Sequence, residues 1–184
     1  MPRKSRPSAA AGIARPQRDA SVPDARVHSA AVYVALVIAQ TVALPIVSGL
    51  VALLLQGGDP LLAFGRWWLF WGVGSRLLVA GLSQVTRPAF TARELLGIRS
   101  EDAEQLVQEL GFSNLIVGAV AMASIVASGL QPALALVGGG FLGLAGIRHV
   151  AKRGMDRKEL VATWTDLLVA GVMVVFLVRA TLAA

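Results

Sequence analysis

The residue of this chain that most requires a chemical partner is Arg76. It lies inside the apolar stretch 61–83, which is long enough to cross a bilayer as a helix. A charge at that depth costs about 2.5 to 3.5 kcal/mol on insertion scales, so a group of opposite charge is expected beside it. Asp166, near the start of the last apolar stretch, is the carboxylate that we expect to pair with Arg76.

Other polar residues fall in the same half of the apolar segments as this pair. We predict an intramembrane polar cluster made of Arg76, Asp166, Glu109, Asn114, Gln84 and His149. Three interpretations stay open. The cluster is a buried ion pair that fixes helix register, or Arg76 extends to the headgroups, or the ionisable groups form a proton or anion path.

Catalytic and metal-binding motifs are not found in the sequence. The chain has no cysteine and two histidines, and it contains no spaced metal motif or phosphate-binding loop. His149 and Glu109 form only a weak metal pair. We therefore predict no catalytic residues, no metal and no cofactor, and the protein is more consistent with a non-enzyme than with a membrane enzyme that uses Glu109 or His149 as acid or base.

Composition places the chain among integral membrane proteins. Hydrophobic residues make up 55% of it and the mean hydropathy is +0.67, above the range of soluble domains. We predict a disordered basic cytoplasmic tail over residues 1–27 and one transmembrane bundle over residues 28–184. The net charge of +6 is concentrated in segments that flank the apolar runs, which favours a topological role over nucleic-acid binding.

The apolar runs predict an all-α bundle of five transmembrane helices. Their expected ranges are about 29–55, 61–84, 104–128, 133–150 and 159–182. A short amphipathic helix at the membrane surface is expected between the second and third, over Thr91 to Ile98. Ser100 should then cap the third helix, and Pro45 should kink the first.

Small residues predict where helices approach closely. Gly72, Ala80 and Gly81 lie near Arg76, and a second group of helix-packing glycines follows on the fourth helix: Gly139, Gly143 and Gly146. The second group is consistent with packing inside the bundle or with a homodimer face.

The basic residues also predict the topology. Lysine and arginine number six in the tail, none in the first turn, three in the loop from Arg87 to Arg99, none in the second turn, and five from Arg148 to Lys158. The positive-inside rule then places the N-terminus in the cytoplasm and the C-terminus outside. Arg76 and Asp166 lie at similar depths, about 12 and 10 Å from the cytoplasmic boundary at 1.5 Å per residue.

The segment from Arg93 to Gly118 resembles a domain-of-unknown-function family of small bacterial polytopic membrane proteins that is distantly DoxX-like. The residues that carry the resemblance are Glu109, Gly111, Phe112, Asn114, Leu115 and Gly118. The family pattern has a histidine where this chain has Gln84. The resemblance implies a membrane bundle and no particular activity.

These observations favour a non-enzymatic accessory or scaffold subunit of a membrane assembly in the bacterial cytoplasmic (inner) membrane. The alternative is a small transporter or an ion- or proton-conducting protein that uses the Arg-Asp-Glu cluster. The expected partners are the lipid bilayer, other membrane subunits or further copies of the chain, and anionic lipid at the basic tail.

Overall fold

The computed structural model describes residues 31–32, 34–95, 99–151, 154–155 and 157–183. Within these ranges the fold is all-α, as predicted, and contains six helices. They are α1 (Val34–Gln56), α2 (60–86), α3 (88–95), α4 (Glu101–Ala123), α5 (Gln131–Ala151) and α6 (Arg157–Leu182). The predicted tail, residues 1–27, lies outside the described residues.

Four of these helices are long and apolar enough to cross a membrane. They correspond to Val34–Gln56, Glu101–Ala123, Ser128–Ala151 and Glu159–Leu182. The chain is therefore a multi-pass helical membrane protein with four candidate spans. The remaining long helix, α2, is not among the four because its two arginines and three tryptophans lower its hydropathy.

The helix ends agree closely with the predicted ranges in most places. The clearest difference is in α4, which begins at Glu101 and ends at Ala123, several residues before the predicted end at 128. The Ser100 side chain caps this helix by accepting a hydrogen bond from the Ala103 amide at 3.2 Å, as predicted. A short helix, α3, covers part of the range predicted for the surface helix, and residues 96–98 of that range lie outside the described residues.

Helix α2 occupies the centre of the bundle. It contacts α1, α4, α5 and α6, and it is continuous through three segments: Pro60–Trp68, a π-helical Leu69–Ser75, and Arg76–Thr86. The hydrophobic core lies between α2 and α6. Leu69, Val73 and Leu77 follow one face of α2 at helical spacing and pack with Val169 and Met173 of α6.

Helices α2 and α4 contact each other at glycine residues, and the absence of a side chain there lets the two backbones touch. A Cβ atom added at Gly81 would lie 2.6 Å from the Leu115 amide nitrogen, and one added at Gly118 would lie 2.5 Å from the Leu78 nitrogen. Only glycine fits at such distances. The expectation that small residues near Arg76 admit another helix is confirmed.

Helix α1 accommodates Pro45 by widening. Proline has no N–H for the carbonyl one turn earlier, and the helix is π-helical over Ala39–Ala43, where the Leu44 amide bonds the Ala39 carbonyl. Pro45 is buried against the rest of the bundle. The wider turn redistributes backbone hydrogen bonds within the helix and lets it continue through the proline to Gln56.

Candidate functional site

The ion pair predicted between Arg76 and Asp166 is present. Arg76 leaves α2 directly after its π-helical segment, and Asp166 lies in the third turn of α6. The Arg76 Nη2 and Asp166 Oδ1 atoms are 2.7 Å apart, and the two side chains are 13% and 7% exposed. Two charges this deeply buried are stable only in each other's presence.

The other contacts of the Arg76 side chain are also with α6, the helix that carries Asp166. Its Nη1 donates to the Thr165 hydroxyl at 2.9 Å, and its Nη2 approaches the Ala162 carbonyl at 3.4 Å. Thr165 is buried and in turn donates to a carbonyl of the preceding turn, either Val161 or Ala162. The guanidinium is thus held by α6 at three successive points, which fixes the register of α2 against α6.

The Asp166 carboxylate has fewer hydrogen bonds than the Arg76 guanidinium. Although Oδ1 lies within ion-pair distance of Arg76, it accepts no well-aligned hydrogen bond from the described residues. His149, at the end of α5, lies within electrostatic range of this carboxylate. Gly146 of α5 brings its backbone near it as well, since a Cβ there would be 3.3 Å from the Asp166 Cβ.

A second polar pair joins α2 to α4. The buried Asn114 side chain donates to Gln84 Oε1 at 2.8 Å, and the Gln108 amide reaches the Val85 carbonyl at 3.4 Å. Together with the glycine contacts, these bonds attach the C-terminal half of α2 to α4. Their geometry is that of an interhelical connection between neutral groups.

Glu109 does not join either pair. It is exposed on α4 and accepts a hydrogen bond from Gln105, four residues earlier on the same helix, at 3.1 Å. The six residues of the predicted cluster therefore separate in space into the Arg76–Asp166 pair with His149 nearby, the Gln84–Asn114 pair, and Glu109 on the surface. Within the described part of the chain, no three histidine, aspartate or glutamate side chains are grouped as metal ligands.

The predicted helix-packing glycines lie along α5 where it meets α6. A Cβ added at Gly139 would be 2.6 Å from Met173 Cβ, and one at Gly143 would be 3.1 Å from Ala170 Cβ. This geometry corresponds to the first of the two interpretations left open by the sequence, packing inside the bundle. Gly140, on the same helix, faces outward, and a Cβ added there would meet no atom within 4 Å.

An ion pair at the opposite end of the bundle was not predicted from the sequence. Asp59 caps α2 by accepting from the Leu62 amide at 3.1 Å, and its Oδ2 lies 2.6 Å from Arg179 Nη2 near the end of α6. An aspartate directly before a proline is a typical helix N-cap signal. The predicted topology also places Asp59 and Arg179 on one side of the membrane, so both signals were available.

The chain has no match among protein families, curated proteins or solved structures. Its class is defined by the fold and by the buried pair: a helical multi-pass membrane protein in which a central, charged helix is enclosed by more apolar ones.

Proposed function

We propose that this chain is a non-enzymatic accessory or scaffold subunit of a membrane assembly in the bacterial cytoplasmic membrane. The observation that carries the proposal is the way the charges of the bundle interior are used. Arg76 directs its contacts to Thr165, Ala162 and Asp166 of one neighbouring helix. Neither the cavity between α1 and α2 nor the groove between α5 and α6 is lined by Arg76 or Asp166. A pair used in this way holds helices together.

The proposal includes a fifth crossing by α2. At 1.5 Å per residue its 27 residues extend about 40 Å, which exceeds the hydrocarbon thickness of a bilayer. Its contacts with all four candidate spans support a path parallel to theirs. The distribution of lysine and arginine supports a cytoplasmic N-terminus.

The scaffold role is tested by extracting the tagged full chain with its surrounding lipid and weighing the intact complexes by native mass spectrometry. We expect a defined assembly, either with a second membrane subunit at fixed stoichiometry or with further copies of the chain. The assembly should also be recovered when the tag is moved to the partner. A strictly monomeric chain without a stoichiometric partner would overturn the proposal.

The alternative, a small ion- or proton-conducting protein, is favoured by one feature of the site. Asp166 is buried with an incompletely bonded oxygen, and its partner Arg76 directly follows a π-helical segment, a local geometry that is frequent at functional sites. If Asp166 carries protons, Asp166→Asn should abolish proton flux into proteoliposomes and leave the thermal unfolding temperature nearly unchanged. Unchanged flux with Asp166→Asn would exclude this role for Asp166, and loss of folding would instead favour the structural role of the pair.

A further inference from the structure

A polar cavity lies at the end of the bundle opposite the Arg76–Asp166 pair. It is formed where α1 turns into α2 and has a volume of about 370 Å³, within the range of small-ligand sites. Gln56, Gly57, Gly58, Asp59, Arg66 and Trp67 contribute to its walls. Gly57 and Gly58 have φ values of 65° and 97°, which other residues rarely adopt, so the turn that borders the cavity depends on glycine.

Arg66 brings an uncompensated positive charge to the cavity. Its side chain lines the wall, and its Nε is buried without a hydrogen-bond partner. No carboxylate among the described residues lies within ion-pair distance of it. An arginine that lines a cavity and has no carboxylate partner is available to donate charge-assisted hydrogen bonds to an oxyanion that enters the cavity.

The one carboxylate in the wall does not oppose an anion. Asp59 is paired with Arg179 through two contacts, Nε–Oδ2 at 2.7 Å and Nη2–Oδ2 at 2.6 Å, and it also accepts from the Leu62 amide. Its charge is therefore compensated within the protein. Arg66 is left as the net charge of the cavity, which is positive.

We propose that this cavity binds a phosphate-class oxyanion held by Arg66. A guanidinium presents parallel N–H groups that match the oxygens of a phosphate. The cavity opens beside Trp67 at the end of a candidate span, the level at which indole rings and lipid phosphates are found. The same chemistry fits a lipid headgroup and a free phosphate, and the two sources are separated by experiment.

The test uses the full chain in two arms. In the first, the chain is placed in nanodiscs of equal phosphatidylcholine and phosphatidylglycerol, and the lipids retained are counted by native mass spectrometry. In the second, the chain in a phosphate-free maltoside detergent is titrated with inorganic phosphate by calorimetry. Three variants are compared with the wild type: Arg66→Gln, Ala63→Leu, which fills the cavity without changing charge, and the control Arg99→Gln, which removes an exposed arginine outside the cavity.

We expect Arg66→Gln and Ala63→Leu to weaken binding about tenfold or more, because each removes a charged hydrogen bond or the space for the anion, while Arg99→Gln leaves binding unchanged. Binding in the first arm alone identifies a lipid headgroup, and binding in the second identifies a free phosphate. If Arg66→Gln does not fold, the result with Ala63→Leu decides. Absence of binding in both arms, or equal loss with Arg66→Gln and Arg99→Gln, overturns the proposal.

Discussion

At the scale of single residues, the Arg76–Asp166 pair links the stability of each charge to the presence of the other. Both side chains are largely removed from solvent, and the 2.7 Å contact compensates part of the cost of burying them. Removing one partner leaves an isolated charge in an apolar interior. Removing both leaves a gap that apolar side chains of similar volume fill.

We therefore expect Arg76→Met and Asp166→Leu, each alone, to destabilise the fold by about 3 to 5 kcal/mol. The double variant Arg76→Met/Asp166→Leu should recover most of that loss. Thermal unfolding of the purified chain in one detergent measures all three. A double variant as unstable as the sum of the single ones would show that the two residues act separately.

The Asp59–Arg179 pair predicts a dependence of stability on pH. The hydrogen bond from the Leu62 amide, opposed in part by desolvation and aided by Arg179, lowers the pKa of Asp59 below its ordinary value of 3.8. A carboxyl whose pKa is lower in the folded state stabilises the fold above its unfolded pKa, and this contribution is lost as the pH falls below about that value.

Acid unfolding profiles of the wild type and Asp59→Asn check this expectation. The two proteins should differ in stability at neutral pH and converge as the pH falls below 3.8, because protonation removes the charge that the variant already lacks. A difference that persists unchanged at low pH would mean that the carboxylate charge contributes nothing.

At the scale of helices, the contact between α2 and α4 depends on glycine more than any other contact described. Gly81→Ala should destabilise the fold by about 1 to 3 kcal/mol, because its Cβ would lie 2.6 Å from a backbone nitrogen that cannot move independently of its helix. The unfolding temperature of the variant measures the effect.

Gly140→Ala provides the matched control. It is also a glycine inside a helix, but its added Cβ meets no atom within 4 Å, so stability should be unchanged or slightly raised by the better helix propensity of alanine. Equal destabilisation by the two variants would contradict the close backbone contact at Gly81.

The helices and their order were largely predictable, and their lateral arrangement was predictable only in part. Long apolar runs define α1, α5 and α6 within a few residues because length and hydropathy act locally. The pairing of Arg76 with Asp166 followed from two isolated charges of opposite sign in apolar segments. The separation of Glu109 from that pair could not be predicted, since it depends on the rotation of α4 about its axis, which the glycine contacts of Gly81 and Gly118 set.

At the scale of the whole molecule, the topology can be measured by labelling single cysteines introduced at the helix ends, because the chain has no cysteine of its own. Single variants Gln56→Cys and Gly129→Cys lie at one end of the bundle, and Thr86→Cys and Ala151→Cys lie at the other. We expect a membrane-impermeant maleimide to label the first two in intact cells and the second two only after permeabilisation. This pattern requires α2 to cross the membrane and the N-terminus to be cytoplasmic.

The unmodified chain controls for background labelling, since it has no thiol. If Gln56→Cys and Thr86→Cys are labelled from the same side, α2 does not cross. If Thr86→Cys and Ala151→Cys are labelled in intact cells, and Gln56→Cys and Gly129→Cys only after permeabilisation, α2 still crosses the membrane but the orientation of the bundle is inverted.

The central position of α2 also affects how the protein is made. About 90 residues separate Arg76 from Asp166, so at typical rates of synthesis roughly 5 to 20 seconds pass before α6 has left the ribosome. During that interval the most polar long helix of the chain has been translated and its counter-ion has not. On the proposed topology, in which α2 crosses the membrane, we expect α2 to insert stably only once α6 has been made, so that chains truncated before α6 are degraded faster than the full chain.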